Sequence, residues 1–131
     1  RKEGLSPVEQ IMHVSDILRI RELVRSIYLD EKIENYIIDL VFATRNPEEA
    51  GIPNLSSLIA FGASPRASIN LALAGKAMAM LNGRAYVIPD DIRAIAIDVL
   101  QHRIGLTYEA EAEQIKADEI IRRIIGRVEV P

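Results

Sequence analysis

The sequence predicts an all-α domain: a small bundle of about five helices with at most three short β segments. Three observations predict it. Four segments carry apolar residues at helical spacing. The extended runs, Ile27-Tyr28-Leu29, Tyr86-Val87-Ile88 and Val128-Glu129-Val130, are only about three residues long. The apolar share is 49% but the aromatic share only 5%, a mixture dominated by Ile, Leu, Val and Ala that suits helix packing. At 131 residues the chain has the size of one ordinary domain with a single core.

Residues 1–13 read as a polar or partly ordered lead-in, because Pro7 limits any helix. Ser15 is placed to cap a short helix over about 16–26, with Ile17, Ile20, Leu23, Val24 and Ile27 on one face. Asp30 caps the second helix, whose Ile33, Tyr36, Ile37, Leu40 and Val41 follow the i, i+3, i+4, i+7, i+8 pattern. Asn46-Pro47 ends it, since the residue before a proline is driven out of helical geometry. Residues 46–63 contain Gly51, Pro53, Asn54 and Gly62 and read as a loop, although Leu55, Leu58, Ile59 and Phe61 require part of it to pack.

The third helix is expected from Pro65 to about Leu81. Ala67, Leu71, Ala74, Met78 and Leu81 mark one face, and Ile69, Leu73, Ala77 and Met80 another. Apolar character on two faces predicts a central helix. Asn82-Gly83 supplies its C-cap. Pro89 opens the fourth helix, with Ile92, Ile95, Ala96, Val99 and Leu100 buried. Ile88 is a poor cap, so Asp91 has to do more of the terminal hydrogen bonding. Residues 104–114 are acidic and fit either a loop or a frayed helix. The last helix is expected over about 115–125, with Ile120, Ile121, Ile124 and Ile125 as its stripe and Gly126 as its stop.

Composition excludes several chemistries. The net charge of −3 and a pI near 5.4 argue against a generic nucleic-acid surface, which would be basic. No cysteine is present, so disulfides and thiolate metal sites are ruled out. His13 and His102 are far apart in sequence and share no metal-ligand spacing, so no metal site is expected. No signal peptide and no apolar run near eighteen residues appear, which leads to the expectation of a soluble, cytoplasmic chain without a membrane partner.

One hexapeptide stands out for function: Gly62-Ala63-Ser64-Pro65-Arg66-Ala67. Gly62 permits a turn, Ser64 suits an N-cap and Pro65 the first helical position. Arg66 then falls where the helix dipole favours an anion, and a guanidinium grips phosphate oxygens in a two-point fork. From these six residues alone, a capped helix bearing a solvated arginine is the simpler reading.

The neighbouring residues alter that balance. The hexapeptide is followed by Asn82-Gly83-Arg84-Ala85-Tyr86-Val87-Ile88-Pro89-Asp90-Asp91-Ile92 and by Leu100-Gln101-His102-Arg103-Ile104. It is preceded by Tyr36-Ile37-Ile38-Asp39-Leu40-Val41 and Ala43-Thr44-Arg45. Together with the ending Val128-Glu129-Val130-Pro131, these resemble the C-terminal lid domain of MoxR-family AAA+ ATPases over nearly the whole chain. The resemblance implies an AAA+ lid-type bundle over 14–131, with 1–13 leading in from a nucleotide-binding domain. It implies that Arg66 is the sensor-2 arginine, reaching the nucleotide phosphates.

It also sets Pro65 and Ala67 beside the nucleotide, and Tyr36 and Ile37 on its adenine side. A helix start and a core alanine explain the first two equally well, and core packing is the better explanation of the second two. Arg103 and Arg45 are candidates for contact with a neighbouring subunit, with structural roles as the simpler alternative. In this family the ATPase acts in chaperone-like assembly or activation of client proteins, with ATP and Mg²⁺ as cofactors and a ring of subunits as partners.

The chain itself carries no Gly-x-x-x-x-Gly-Lys-Ser/Thr loop, and no apolar strand ends in paired acids to hold magnesium. Phosphoryl transfer therefore lacks its main electrostatic parts here. The expectation is one domain of a larger ATPase, in keeping with a start at Arg1-Lys2-Glu3-Gly4 without a methionine. The alternative is a helical protein-interaction module without a nucleotide role.

Overall fold

The computed structural model describes residues 4–131; the first three residues of the expected lead-in lie outside it. The order of elements is α1 (Val14–Ser26), α2 (Glu31–Arg45), β1 (Ile59–Phe61), α3 (Arg66–Leu81), α4 (Pro89–Leu100), β2 (Gly105–Leu106), α5 (Tyr108–Ala112) and α6 (Ala117–Arg127). The all-α reading holds, with one small antiparallel ladder in which Ile59 faces Leu106 and Phe61 faces Gly105. Both strands fall in segments that were expected to be irregular. The runs at Tyr28 and Tyr86 meet only in a single parallel bridge, tied by Tyr28 N–H to Ala85 O and Val87 N–H to Tyr28 O. Residues 128–130 form no strand.

The core lies where α2, α3, α4 and α6 converge. Leu40 of α2, Leu71 of α3, Ile92 and Leu100 of α4, and Ile120, Ile121 and Ile124 of α6 are fully buried there. The loop before β1 contributes Leu55 and Leu58, which explains why it is too apolar for a free linker. α3 and α4 share the most extensive contact of any pair of elements. The buried stripe of α3 is Ala67, Leu71, Gly75 and Ala79, an i, i+4 row of mostly small residues. Gly75 is required there: a Cβ on it would collide with Ile92 Cδ1, the side chain that α4 drives against α3.

Several helix details depart from expectation. α1 starts at Val14 with His13 as its cap, and Asp16 accepts from His13 N–H, so Ser15 is not the cap. No α1 residue is fully buried, and Ile17 and Leu23 are exposed. The second apolar face of α3 is likewise open: Ile69 and Leu73 are exposed and Ala77 and Met80 half-buried. Leu81 is also exposed rather than buried. Gly126 lies inside α6, which continues to Arg127, and α5 adds a sixth, short helix.

Asp30 caps α2 as expected, its carboxylate accepting from Lys32 N–H at 3.0 Å. Asp91 compensates for the poor cap at Ile88 by accepting that residue's N–H at 2.8 Å. The same carboxylate takes a bidentate fork from Arg84, with both N–O distances 2.6 Å, while its side chain is only 2% exposed. Burial alone would raise the Asp91 carboxyl, but the guanidinium fork and the Ile88 N–H outweigh it and hold the pKa below the usual range. The pair thus locks the loop after α3 onto the start of α4.

Leu71→Ala should destabilise the chain by about 2–5 kcal/mol in a denaturant titration, because it leaves a void between α3 and the core. Leu73→Ala, at a site 46% exposed, should change stability by no more than about 0.5 kcal/mol. The lowered carboxyl of Asp91 contributes stability that is complete above the unfolded value of about 4 and fades as pH falls through the folded value. Asp91→Asn should therefore cost about 1–3 kcal/mol at neutral pH and flatten the acid limb of a stability-versus-pH profile. An unchanged acid limb would contradict this assignment.

Candidate functional site

Arg66 is the first residue of α3 and its side chain is exposed. Pro65 before it already holds helical angles (φ −56°, ψ −24°). The first turn is closed by Ala67 N–H to Ser64 O at 2.9 Å and Ser68 N–H to Pro65 O at 3.0 Å. The carbonyl of Ser64, not its hydroxyl, therefore opens the helix, which corrects the expected side-chain cap. Ser64, Pro65 and Arg66 are exposed, and they stand between two fully buried alanines, Ala63 and Ala67. Both ends of this three-residue span are fixed in the core, so the arginine projects from a rigid base.

The base is held by the end of α2. Thr44, fully buried, donates its hydroxyl to Val41 O at 2.7 Å and accepts Ala63 N–H at 3.0 Å. Arg45 donates from Nη1 to Ala63 O at 3.3 Å. Gly62 lies against the same backbone: a Cβ there would collide with the Thr44 carbonyl and come within 2.7 Å of Arg45 Cα. Gly62 is thus needed for close approach, and not for the turn geometry expected of it, since its φ is not positive.

The ion pairs among the described residues are Arg84–Asp91, Arg93–Asp90, Arg122–Asp118 and Arg123–Glu119, and none includes Arg66. A cation at a helix N-terminus is opposed by the dipole. An anion drawn to Arg66 would gain from both the guanidinium and the positive end of the helix dipole. Close by, a cleft of about 270 Å³ opens between the end of α2 and β1, lined by Arg45, Asn46, Glu48, Glu49, Ser56 and Phe61 among others. Its two glutamates disfavour a phosphate there.

The other expected positions are distributed differently. Tyr36 and Ile37 are 1% and 2% exposed, within the core. Tyr36 Oη is buried without a hydrogen-bond partner among the described residues, and burial raises its pKa. Arg103 is exposed, just past α4, beside exposed His102. Arg122 and Arg123 are paired with Asp118 and Glu119 one turn earlier on α6. Among the described residues no three or more His, Cys, Asp or Glu side chains are grouped to hold a metal ion. Among the described residues no helix is long and apolar enough to cross a membrane.

The Thr44–Ala63 bond was not anticipated from the sequence. The only local signal was a threonine in the last turn of a helix, and its second partner is 19 residues away.

Residues 54–124, more than half of the chain, match the AAA lid domain family. This chain is an AAA lid domain. The relatives place it among the MoxR type. It is 39% identical over 130 residues to Chaperone MoxR1 of Mycobacterium tuberculosis, covering 98% of this chain and 34% of that protein. It is 39% identical over 89 residues to Protein MoxR of Paracoccus denitrificans, covering 63% of this chain and 26% of that one. A crystal structure from Cytophaga hutchinsonii, described as a candidate ATPase, superposes with a TM-score of 0.86 at 49% identity, covering 89% of this chain and 36% of its own. The lid thus spans about a quarter to a third of the length of these relatives, and in the Cytophaga hutchinsonii chain the same helical bundle is one part of a larger protein.

Proposed function

We propose that this lid serves a MoxR-type AAA+ ATPase and that Arg66 is its sensor-2 residue, reading the terminal phosphate of ATP bound by a nucleotide-binding domain. The observation that carries the reading is an exposed arginine on a rigid base, at the first turn of α3, in none of the ion pairs among the described residues. A buried unpaired guanidinium would be costly, whereas an exposed one is free to take an external phosphate. ATP, with Mg²⁺ held by the nucleotide-binding domain, supplies the anhydride whose cleavage drives the cycle.

Arg66 supplies a two-point contact that exists only while the phosphate is in reach. Because α3 is packed into the core from its first buried residue, Ala67, the whole domain follows that contact. Its loss lets the lid change its angle to the rest of the ATPase. Such a motion, in a cytoplasmic ring of subunits, would be passed to a client protein in chaperone-like activation. Exposed Arg103 and Arg45 are available for contacts with a neighbouring subunit. Pro65 lies close enough in sequence to border the nucleotide. The proposal does not extend to Ala67, Tyr36 or Ile37, whose side chains are buried.

One observation favours a second reading, a helical protein-interaction module without a nucleotide role. α1 exposes Val14, Ile17, Leu18 and Leu23, an apolar surface of the kind that docks other proteins. The two readings part at Arg66.

In the full-length ATPase, Arg66→Ala should weaken ATP turnover or ATP affinity by about 10–150-fold, the loss of a charge-assisted contact of roughly 1.5–3 kcal/mol. Its melting temperature should stay near that of the wild type, since alanine is a good helix former. Arg66→Lys should recover only part of the loss, because an ammonium cannot form the planar fork. Unchanged turnover in Arg66→Ala would reject the sensor reading and favour the second. The isolated lid should show no ATP hydrolysis above a protein-free blank; turnover that Arg66→Ala abolishes would contradict the assignment of catalysis to another domain.

A further inference from the structure

We propose that Thr44 is a positioning residue for Arg66: its hydroxyl, bonded to Ala63 N–H, sets the height and direction from which the arginine leaves the domain. This rests on the sensor reading of Arg66. A threonine hydroxyl near a helix end commonly bonds back to a carbonyl of the preceding turn, as Thr44 does to Val41 O. The remaining acceptor site takes a backbone N–H from a different segment, Ala63, at 3.0 Å, in a fully buried setting. Buried donors left unpaired are costly, so the loop has one favoured seat on α2.

Gly62 closes the fit by lying against the Thr44 carbonyl, and Arg45 adds a bond to Ala63 O. From Ala63 to Arg66 only Ser64 and Pro65 intervene, and the proline ring fixes one of their torsions. Ala67 then enters the core. A shift of the Ala63 backbone is therefore passed to the base of Arg66, with little slack to absorb it. A displacement of about 1 Å at a group that must meet a phosphate costs up to about 100-fold in rate.

The test uses the full-length ATPase with Thr44→Val, Thr44→Ser, Gly62→Ala, Arg66→Ala and the two double variants that combine Arg66→Ala with Thr44→Val or Gly62→Ala. Steady-state ATP turnover and thermal melting are measured for each, with rates expressed per folded molecule. Thr44→Val keeps the shape but removes both hydrogen bonds; it should lower kcat by about 10–100-fold, with a smaller change in KM. Thr44→Ser, which keeps the hydroxyl, should stay within about threefold of wild type, a difference of under 1 kcal/mol. Gly62→Ala keeps the Thr44 hydroxyl but forces a methyl into its carbonyl. It should reproduce the loss, and it carries the test if Thr44→Val does not fold.

The decisive readout is the double variants. Once Arg66 is absent, neither Thr44→Val nor Gly62→Ala should lower turnover further, although their melting temperatures still fall. If folded Thr44→Val or Gly62→Ala turns over ATP at the wild-type rate while Arg66→Ala is impaired, the positioning role is overturned and the sensor reading stands. Losses that multiply in the double variants overturn it equally, because Thr44 would then act by another route. If Arg66→Ala itself is unimpaired, the sensor reading fails and the positioning role fails with it.

Discussion

The close packing of α3 on α4 is the constraint on which the other elements depend. It requires small residues along one stripe of α3, and at Gly75 no side chain at all, since Ile92 occupies that space. With the two helices this near, α2 and α6 complete a core of branched aliphatic side chains. The arginine that carries the proposed function is the first residue of this same α3. Packing of its stripe thus determines where Arg66 stands as well as how stable the domain is. A sensor on a loosely attached helix would report its own mobility; one on the central helix moves only with the domain.

The second element of rigidity is polar. Arg84 and Asp91 close the loop between α3 and α4 through a fork, and the Asp91 carboxylate also accepts the Ile88 N–H. Removing a carboxylate from water is costly, and a guanidinium that satisfies both oxygens offsets much of that cost. The pair's value is partly geometric: it sets how the far end of α3 joins α4. Thr44 plays the corresponding part at the near end. α3 is therefore held by apolar contact along its length and by directional polar contacts just outside each terminus. That arrangement suits the proposed role, in which α3 would pass on a displacement without bending.

Much of this was legible from residue types. Helical spacing in Ile33, Tyr36, Ile37, Leu40 and Val41 located α2, and Asp30 and Asn46-Pro47 marked its ends. Asp91 was legible as the group that must serve a helix start with isoleucine at the cap position. Failures arose where tertiary contact overrode local pattern. Ile69 and Leu73 have helical spacing like the buried row, and periodicity cannot say which of two apolar faces finds a partner. Gly126 continues α6 because its backbone does not take the positive φ of a helix-ending glycine, and Arg127 beyond it is tied to Gly51 O. β1 and β2 were invisible because a two-strand ladder is stabilised by a partner 40 or more residues away, not by its own run of residues. At the candidate site, the place of Arg66 at a helix start was legible and the seating of its backbone was not. Motif and capping chemistry pointed to Arg66, whereas the Thr44 bond and the Gly62 approach exist only once α2 and the loop are brought together.

The arrangement at the head of α3 also resolves two opposing physical demands. A residue that senses an external anion has to be exposed, and an exposed arginine ordinarily loses affinity to the entropy of its own chain and backbone. Burying the side chain would remove the mobility but would isolate the charge from its ligand. The domain separates the two demands by residue. Ala63 and Ala67 take the burial, Thr44 and Gly62 fix the backbone between α2 and the loop, and Pro65 removes a torsion. On the proposed sensor reading, only the side chain of Arg66 would be left to be ordered when a phosphate arrives. The entropy lost on binding is then confined to one side chain rather than a loop. If Arg66 meets a phosphate as proposed, the same rigidity that lowers this cost would make the contact mechanically useful, because a force on the guanidinium is a force on the whole helical bundle.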